Sequence, residues 1–198
     1  MCYFFMAELD RIQKRSHRAM LAGCGFNRNT SRAVTFGPAH LGGRDFFHLY
    51  DEQGYGQVST FMKFWRSPNT HPGELLRITV TWAQYCAGTS WSIFADTSTK
   101  LPHLECTWLS SLRQYLDCVD ATFELDAKYV PSLQCTNDEF LMDAVLNSPS
   151  FKPFEIRMVN YCRLYLRVTT LADITTAKGD AIDPGMYQGG GAISHCQQ

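Results

Sequence analysis

The chain has 198 residues, is 45% hydrophobic and 19% charged, and carries a formal net charge of −1. This is ordinary globular composition, with enough length to bury a core without cross-links. It excludes a polycation, and no apolar run approaches the roughly 18 residues a membrane-spanning helix needs.

The opening MCYFFM is apolar, but it is too short for a secretory signal and lacks a basic start. An intracellular protein with no membrane partner is expected. The first helix is predicted over residues 7–22. Leu9, Ile12, Ser16, Ala19 and Met20 fall on one side of it, and Arg11, Lys14, Arg15 and Arg18 on the other. Gly23 stops it. Residues 25–54 then form a long irregular run. Asn27, Asn29 and the Gly42-Gly43 pair supply turn chemistry. Val34, Phe36, Leu41, Phe46, Phe47 and Leu49 supply apolar surface, so the run is expected to be ordered. Residues 33–36 read as a short strand, and 45–53 and 58–65 as two short helices broken at Gly54 and Gly56.

A strong helix is predicted over 72–87, opened by Pro72 and Glu74 and closed by Gly88. Leu75, Ile78, Thr79, Trp82 and Cys86 share its apolar face. Another follows at 106–119, with Trp108, Leu109, Leu112, Tyr115 and Leu116 as its apolar side. Residues 122–125 are a strand candidate. Asn137 is placed to cap a helix over 138–146. Pro153 opens a helix reaching about residue 168, apolar around much of its circumference and therefore expected to be central. Residues 168–176 are rich in β-branched side chains and, with turn chemistry at 177–179, could pair with 180–182 as a hairpin. The fold expected is mainly α: an irregular helical bundle with one or two short β-strands or a C-terminal β-hairpin. Its expected divisions are a basic helical end (1–32), a helical body (33–185) and a flexible tail (186–198).

Charge is unevenly placed. Residues 1–32 carry six basic and two acidic side chains, and residues 33–198 carry 12 basic and 17 acidic ones. This points to an anionic partner for the N-terminal region, nucleic acid being one kind. The eight cysteines are scattered without a CxxC pair, so reduced, packed thiols are expected. His103-x-x-Cys106 is half of a zinc pattern whose second half is missing, and no metal is expected. No cysteine stands out as a nucleophile. The carboxylates sit singly, without the clustering a two-metal site needs. GPAHLGG at 37–43 lacks the Lys-Ser/Thr pair of a phosphate cradle, so no cofactor is expected. Phe61, Phe64 and Trp65 lie beside Lys63 and Arg66 and read as a core helix with a snorkelling edge.

Read in order, several runs resemble one family. They are GFNRN (25–29), FGPAHLGG (36–43), EQGYGQ (52–57), WAQYCAG (82–88), LPHLE (101–105), WLSSLRQYL (108–116), NDEFLMD (137–143), NYCRLYL (160–166) and TLADIT (170–175). The set resembles the region after the polymerase core in non-LTR-type retrotransposon reverse-transcriptase polyproteins, as found in unicellular algae. The resemblance implies a helical thumb and following linker, here as a segment of a longer polyprotein. Its implied partners are an RNA–DNA primer–template and the polymerase domain of the parent polyprotein. Arg11, Lys14, Arg15 and Arg18, with Arg28 and Arg32 next, are the residues it puts on phosphate, where contacts fix position without reading sequence. The parent would be an RNA-directed DNA polymerase. The aromatic-x-Asp-Asp turn of the palm is absent, and no Asp-Asp pair occurs anywhere, so no enzymatic activity is expected of this chain. The alternative is a structural or protein-interaction module with no nucleic-acid role.

Overall fold

The computed structural model describes residues 4–27, 29–105, 107–125, 132–133, 138–176 and 182–183. In chain order it shows α1 (Met6–Gly23), α2 (Arg32–Phe36), a 3-10 turn (Ala39–Leu41), α3 (Leu49–Trp65), α4 (His71–Ala87), α5 (Thr107–Cys118), α6 (Leu141–Asn147) and α7 (Pro153–Leu166). The protein is mainly α-helical. The backbone divides into two compact units, Met1–Ser67 and Pro68–Gln198. The first holds nine basic and five acidic residues, the second nine and fourteen. The charge asymmetry therefore follows this division. Residues on both sides of position 32 lie in the first unit, and 186–198 lie outside the described residues.

In the first unit, α1 starts where the Glu8 carboxylate accepts the Phe5 N–H at 3.0 Å. It ends where Gly25, at φ +76°, turns the chain so that Phe26 N reaches Leu21 O at 2.8 Å. Residues 32–36 are helix and not the expected strand. Ser31 decides this: it is the N-cap, and its hydroxyl accepts from Val34 N. The GPAHLGG run folds back on α2, with Arg44 N bonded to Val34 O, Asp45 N to Gly37 O and Phe46 N to Thr35 O. A Cβ on Gly43 would overlap the Gly37 backbone, and one on Gly37 would overlap the Ala33 carbonyl. Two chain segments meet there at a distance only glycine permits.

The two short helices expected across 45–65 are one helix. α3 runs through Gly54 and Gly56 because Tyr50, Gly54, Gln57, Phe61 and Trp65 share a buried stripe. Tertiary packing outweighs the roughly 1 kcal/mol that each glycine costs a helix. α1 packs against α3, with Leu9 and Leu21 as the buried side chains of α1.

In the second unit, Thr70 caps α4 by accepting Gly73 N, and Gly88 closes it at φ +67°. α4 turns inward on Gly73, Leu76, Val80, Ala83, Gln84 and Ala87. The expected inward face is the outer one: Leu75, Ile78 and Trp82 are 51%, 58% and 62% exposed. Both faces are apolar, but the face carrying Gly73, Ala83 and Ala87 is the smoother one and is the one the fold buries. Leu109, Leu112 and Leu116 of α5 are buried as expected. Residues 122–125 form no strand, although Phe123 N does bond Phe94 O.

α6 begins later than expected, at Leu141. Glu139, Phe140 and Leu141 are engaged with 169–171 instead, through Leu171 N to Glu139 O, Leu141 N to Thr169 O, and a Phe140–Thr170 bridge. Asn137, the expected cap, lies outside the described residues. Lys152 is the N-cap of α7, with its N–H bonded to the Glu155 carboxylate at 2.6 Å. α7 packs on α4 and α6, and Met142, Val145 and Ile156 form a buried cluster. It is not buried all round: Phe154, Tyr161 and Tyr165 are exposed. Of the expected hairpin, the described residues show a Thr175–Ile182 bridge and Asp183 N on Ile174 O, while 177–181 lie outside them. Cys24, Cys86 and Cys118 are thiols, but Cys162 is disulfide-bonded, which corrects the all-thiol expectation.

A polar skeleton organises the second unit. The last turn of α4 leaves carbonyls that need partners. Arg163, 1% exposed, takes three roles there. Its Nη2 donates to Tyr85 O at 2.7 Å and Cys86 O at 3.1 Å, its Nη1 reaches Val168 O, and its Nε donates to Asn160 Oδ1. A Cβ on Gly88 would come within 2.7 Å of this guanidinium. The Gln84 side chain bonds Thr89 O, Trp91 O and Ile93 N. Arg113 gathers Ile93 O, Asp96 O and Thr99 O at 2.6–2.7 Å.

Candidate nucleic-acid interface

One stripe of α1, spaced i, i+3, i+4, i+7 and i+8, reads Asp10, Gln13, Lys14, His17 and Arg18. With Arg32 and Phe36 of α2 and His48 at the mouth of α3, it lines a cleft of about 180 Å³ in the first unit. Two glutamines hold α1 in place. Gln13 donates to Phe47 O at 3.0 Å and accepts from Leu49 N at 3.2 Å. Gln53, from α3, donates to Phe4 O and accepts from Phe4 N. Phe36 forms the floor: His17 stacks on it at 5.4 Å between centroids, and His48 meets it edge-on at 5.7 Å. His48 Nδ1 lies 3.4 Å from Asp51 Oδ2.

The cleft brings together Lys14, Arg18 and Arg32. Arg11 and Arg15 are exposed on α1 but do not line it, and Arg28 lies outside the described residues. None of Arg11, Lys14, Arg15, Arg18 and Arg32 makes an ion pair with another described residue. Cations held close without counter-charges attract an anion, and the single carboxylate of Asp10 does not cancel three of them.

Sequence reasoning missed Gln13, His17, Phe36 and His48. His17 was within reach of the helical spacing, three residues after Lys14. Phe36 and His48 depend on the course of the 25–54 run, which carries no periodic signal. Lys63 and Arg66 stay at the edge of α3: Phe61 and Trp65 are buried and stacked on each other at 5.7 Å, so that cluster offers no stacking platform.

The other chemical candidates lie in the second unit. Cys86 and His103 line one cavity, but His103 Nδ1 has no hydrogen-bond partner, so no Cys–His dyad forms. No group of three or more His, Cys, Asp or Glu side chains among the described residues could hold a metal ion. Cys106 and the His195-Cys196 pair lie outside them. No helix among the described residues is long and apolar enough to cross a membrane.

Comparison with protein families, with characterised proteins and with solved structures returned no match. The cleft must therefore be read on its own chemistry.

Proposed function

We propose that the first unit grips the sugar–phosphate backbone of nucleic acid and positions it for a neighbouring polymerase domain, with no catalysis of its own. One observation carries this reading: Lys14, Arg18 and Arg32, from two helices, line a single cleft without an ion pair to any other described residue. Arg11 and Arg15 extend the positive surface along α1. The resemblance to the post-polymerase region of non-LTR reverse-transcriptase polyproteins supplies the context, an RNA–DNA primer–template inside the cell.

Salt dependence tests it. Each phosphate neutralised contributes about −0.9 to the slope of log K against log salt, so three contacts give about −2.7 and five about −4.5. Fluorescence anisotropy on an RNA–DNA duplex should return a slope in that range. Lys14→Ala, Arg18→Ala and Arg32→Ala together should flatten it by two units or more. A slope unmoved by the triple substitution would overturn the reading.

A second reading, a protein-interaction module with no nucleic-acid role, is favoured by the exposed Leu75, Ile78 and Trp82 row on α4. It predicts self-association that Trp82→Ala abolishes, measured by sedimentation without nucleic acid.

A further inference from the structure

The basic cleft of the first unit is small. Its volume of about 180 Å³ lies below the roughly 300 Å³ at which sites for whole small molecules begin. It suits one chemical group better than a complete nucleotide. Its aromatic floor is also taken. His17 stacks on Phe36 with the rings 16° from parallel, and His48 packs against the same ring at 73°. Bases are held by stacking on open aromatic faces. With two imidazoles against it, Phe36 is a poor platform for one, so the cleft selects for phosphate and not for base identity.

Charge narrows which phosphate. Lys14 and Arg18 stand one turn apart on α1, and Arg32 comes from α2. Against these three cations the lining offers one carboxylate, Asp10. The formal excess is two positive charges. An internal phosphodiester brings one negative charge. A terminal phosphomonoester brings about 1.5 to 2 near pH 7, with three strong acceptor oxygens. Lysine and arginine donors arriving from two helices can serve that third oxygen as well as the added charge.

We propose, resting on the reading of this cleft as a nucleic-acid grip, that it seats a strand end. A terminal phosphomonoester lies among Lys14, Arg18 and Arg32. Arg11 and Arg15, exposed on α1 outside the cleft, meet the phosphates that follow.

Three RNA–DNA duplexes of one sequence test it on the full chain: phosphate at the 5′ end of one strand, at its 3′ end, or at neither. Fluorescence anisotropy at fixed salt should show a phosphorylated form bound at least fivefold more tightly than the hydroxyl-ended duplex. Lys14→Ala and Arg32→Ala change exposed side chains, keep the helical content by circular dichroism, and should each at least halve that preference. Arg11→Ala with Arg15→Ala should weaken all three duplexes and keep it. A preference below fivefold, one that neither cleft substitution halves, or one that follows the terminal base pair would overturn the proposal. The backbone grip survives that failure if the hydroxyl-ended duplex binds with a salt slope of about −2.7 or steeper. A flat slope for all three duplexes overturns both readings. Inorganic phosphate is the last arm: displacement of the phosphorylated duplex by micromolar phosphate would make this a site for the free anion, and would overturn the strand end as its ligand.

Discussion

The two units use their charged side chains in opposite ways. In the second, Arg163 and Arg113 are buried and spend their donors on backbone carbonyls of α4, of the 93–99 loop and of Val168. In the first, Lys14, Arg18 and Arg32 stay at the surface and make no ion pair with another described residue. A cation that completes a helix end is a structural part, whereas one that faces an open cleft unpaired is available to a partner. The contrast separates charges that specify the fold from charges that can carry function.

The sharpest way to break this contrast is Arg163→Met. It orphans several buried carbonyls at once, each costing about 1–3 kcal/mol. Urea denaturation should show a loss of about 3 kcal/mol or more, and a smaller loss would mean that Arg163 is not structural. Gly43→Ala asks the same of the first unit with no charge involved. The overlap with Gly37 should cost about 2 kcal/mol, in the range of overpacked sites, read from the same denaturation curves. Next, Leu76→Ala should cost about 2–3 kcal/mol as a buried truncation, against no more than about 0.5 kcal/mol for Leu75→Ala one residue away. Equal costs would reverse the assignment of the α4 faces. The cleft substitutions Lys14→Ala, Arg18→Ala and Arg32→Ala should each leave stability within about 0.5 kcal/mol while lowering duplex affinity.

The smallest effect is a pH dependence. Partial burial would raise the Asp96 pKa, but hydrogen bonds from Thr99 and Ser98 outweigh it and bring it from 3.8 to about 2. A depressed carboxylate stabilises the fold above its unfolded pKa. That stability is lost as pH falls from about 3.8 to about 2. Asp96→Asn should therefore flatten the acid limb of the stability curve across that window, as measured by thermal melts.

Much of the architecture was legible in the sequence, because helix ends are written in local chemistry. Pro72 and Gly88 bracket α4, and Pro153 opens α7. What was illegible required tertiary information. α4 is apolar on two faces, and periodicity cannot choose between Leu75–Ile78–Trp82 and Leu76–Val80–Ala83. Pattern reading also places charges outward, so the buried roles of Arg113 and Arg163 were invisible. Yet they stand inside WLSSLRQYL and NYCRLYL, just as Gln84 and Gly88 stand inside WAQYCAG. Those three runs hold the polar skeleton of the second unit. In the first unit the excess of positive charge was plain. Which cations share a cleft was not, because Arg32 reaches it from a helix that the sequence presents as a strand.

The paired glutamines of the first unit have a practical consequence. Gln13 joins α1 to Phe47 and Leu49 at the start of α3, and Gln53 joins α3 to Phe4 just ahead of α1, in each case through a neutral amide. Added salt weakens attractions between charges but has little purchase on such links. The cleft is therefore expected to keep its shape across a salt titration, so that a slope found with an RNA–DNA duplex would count released ions instead of a scaffold coming apart.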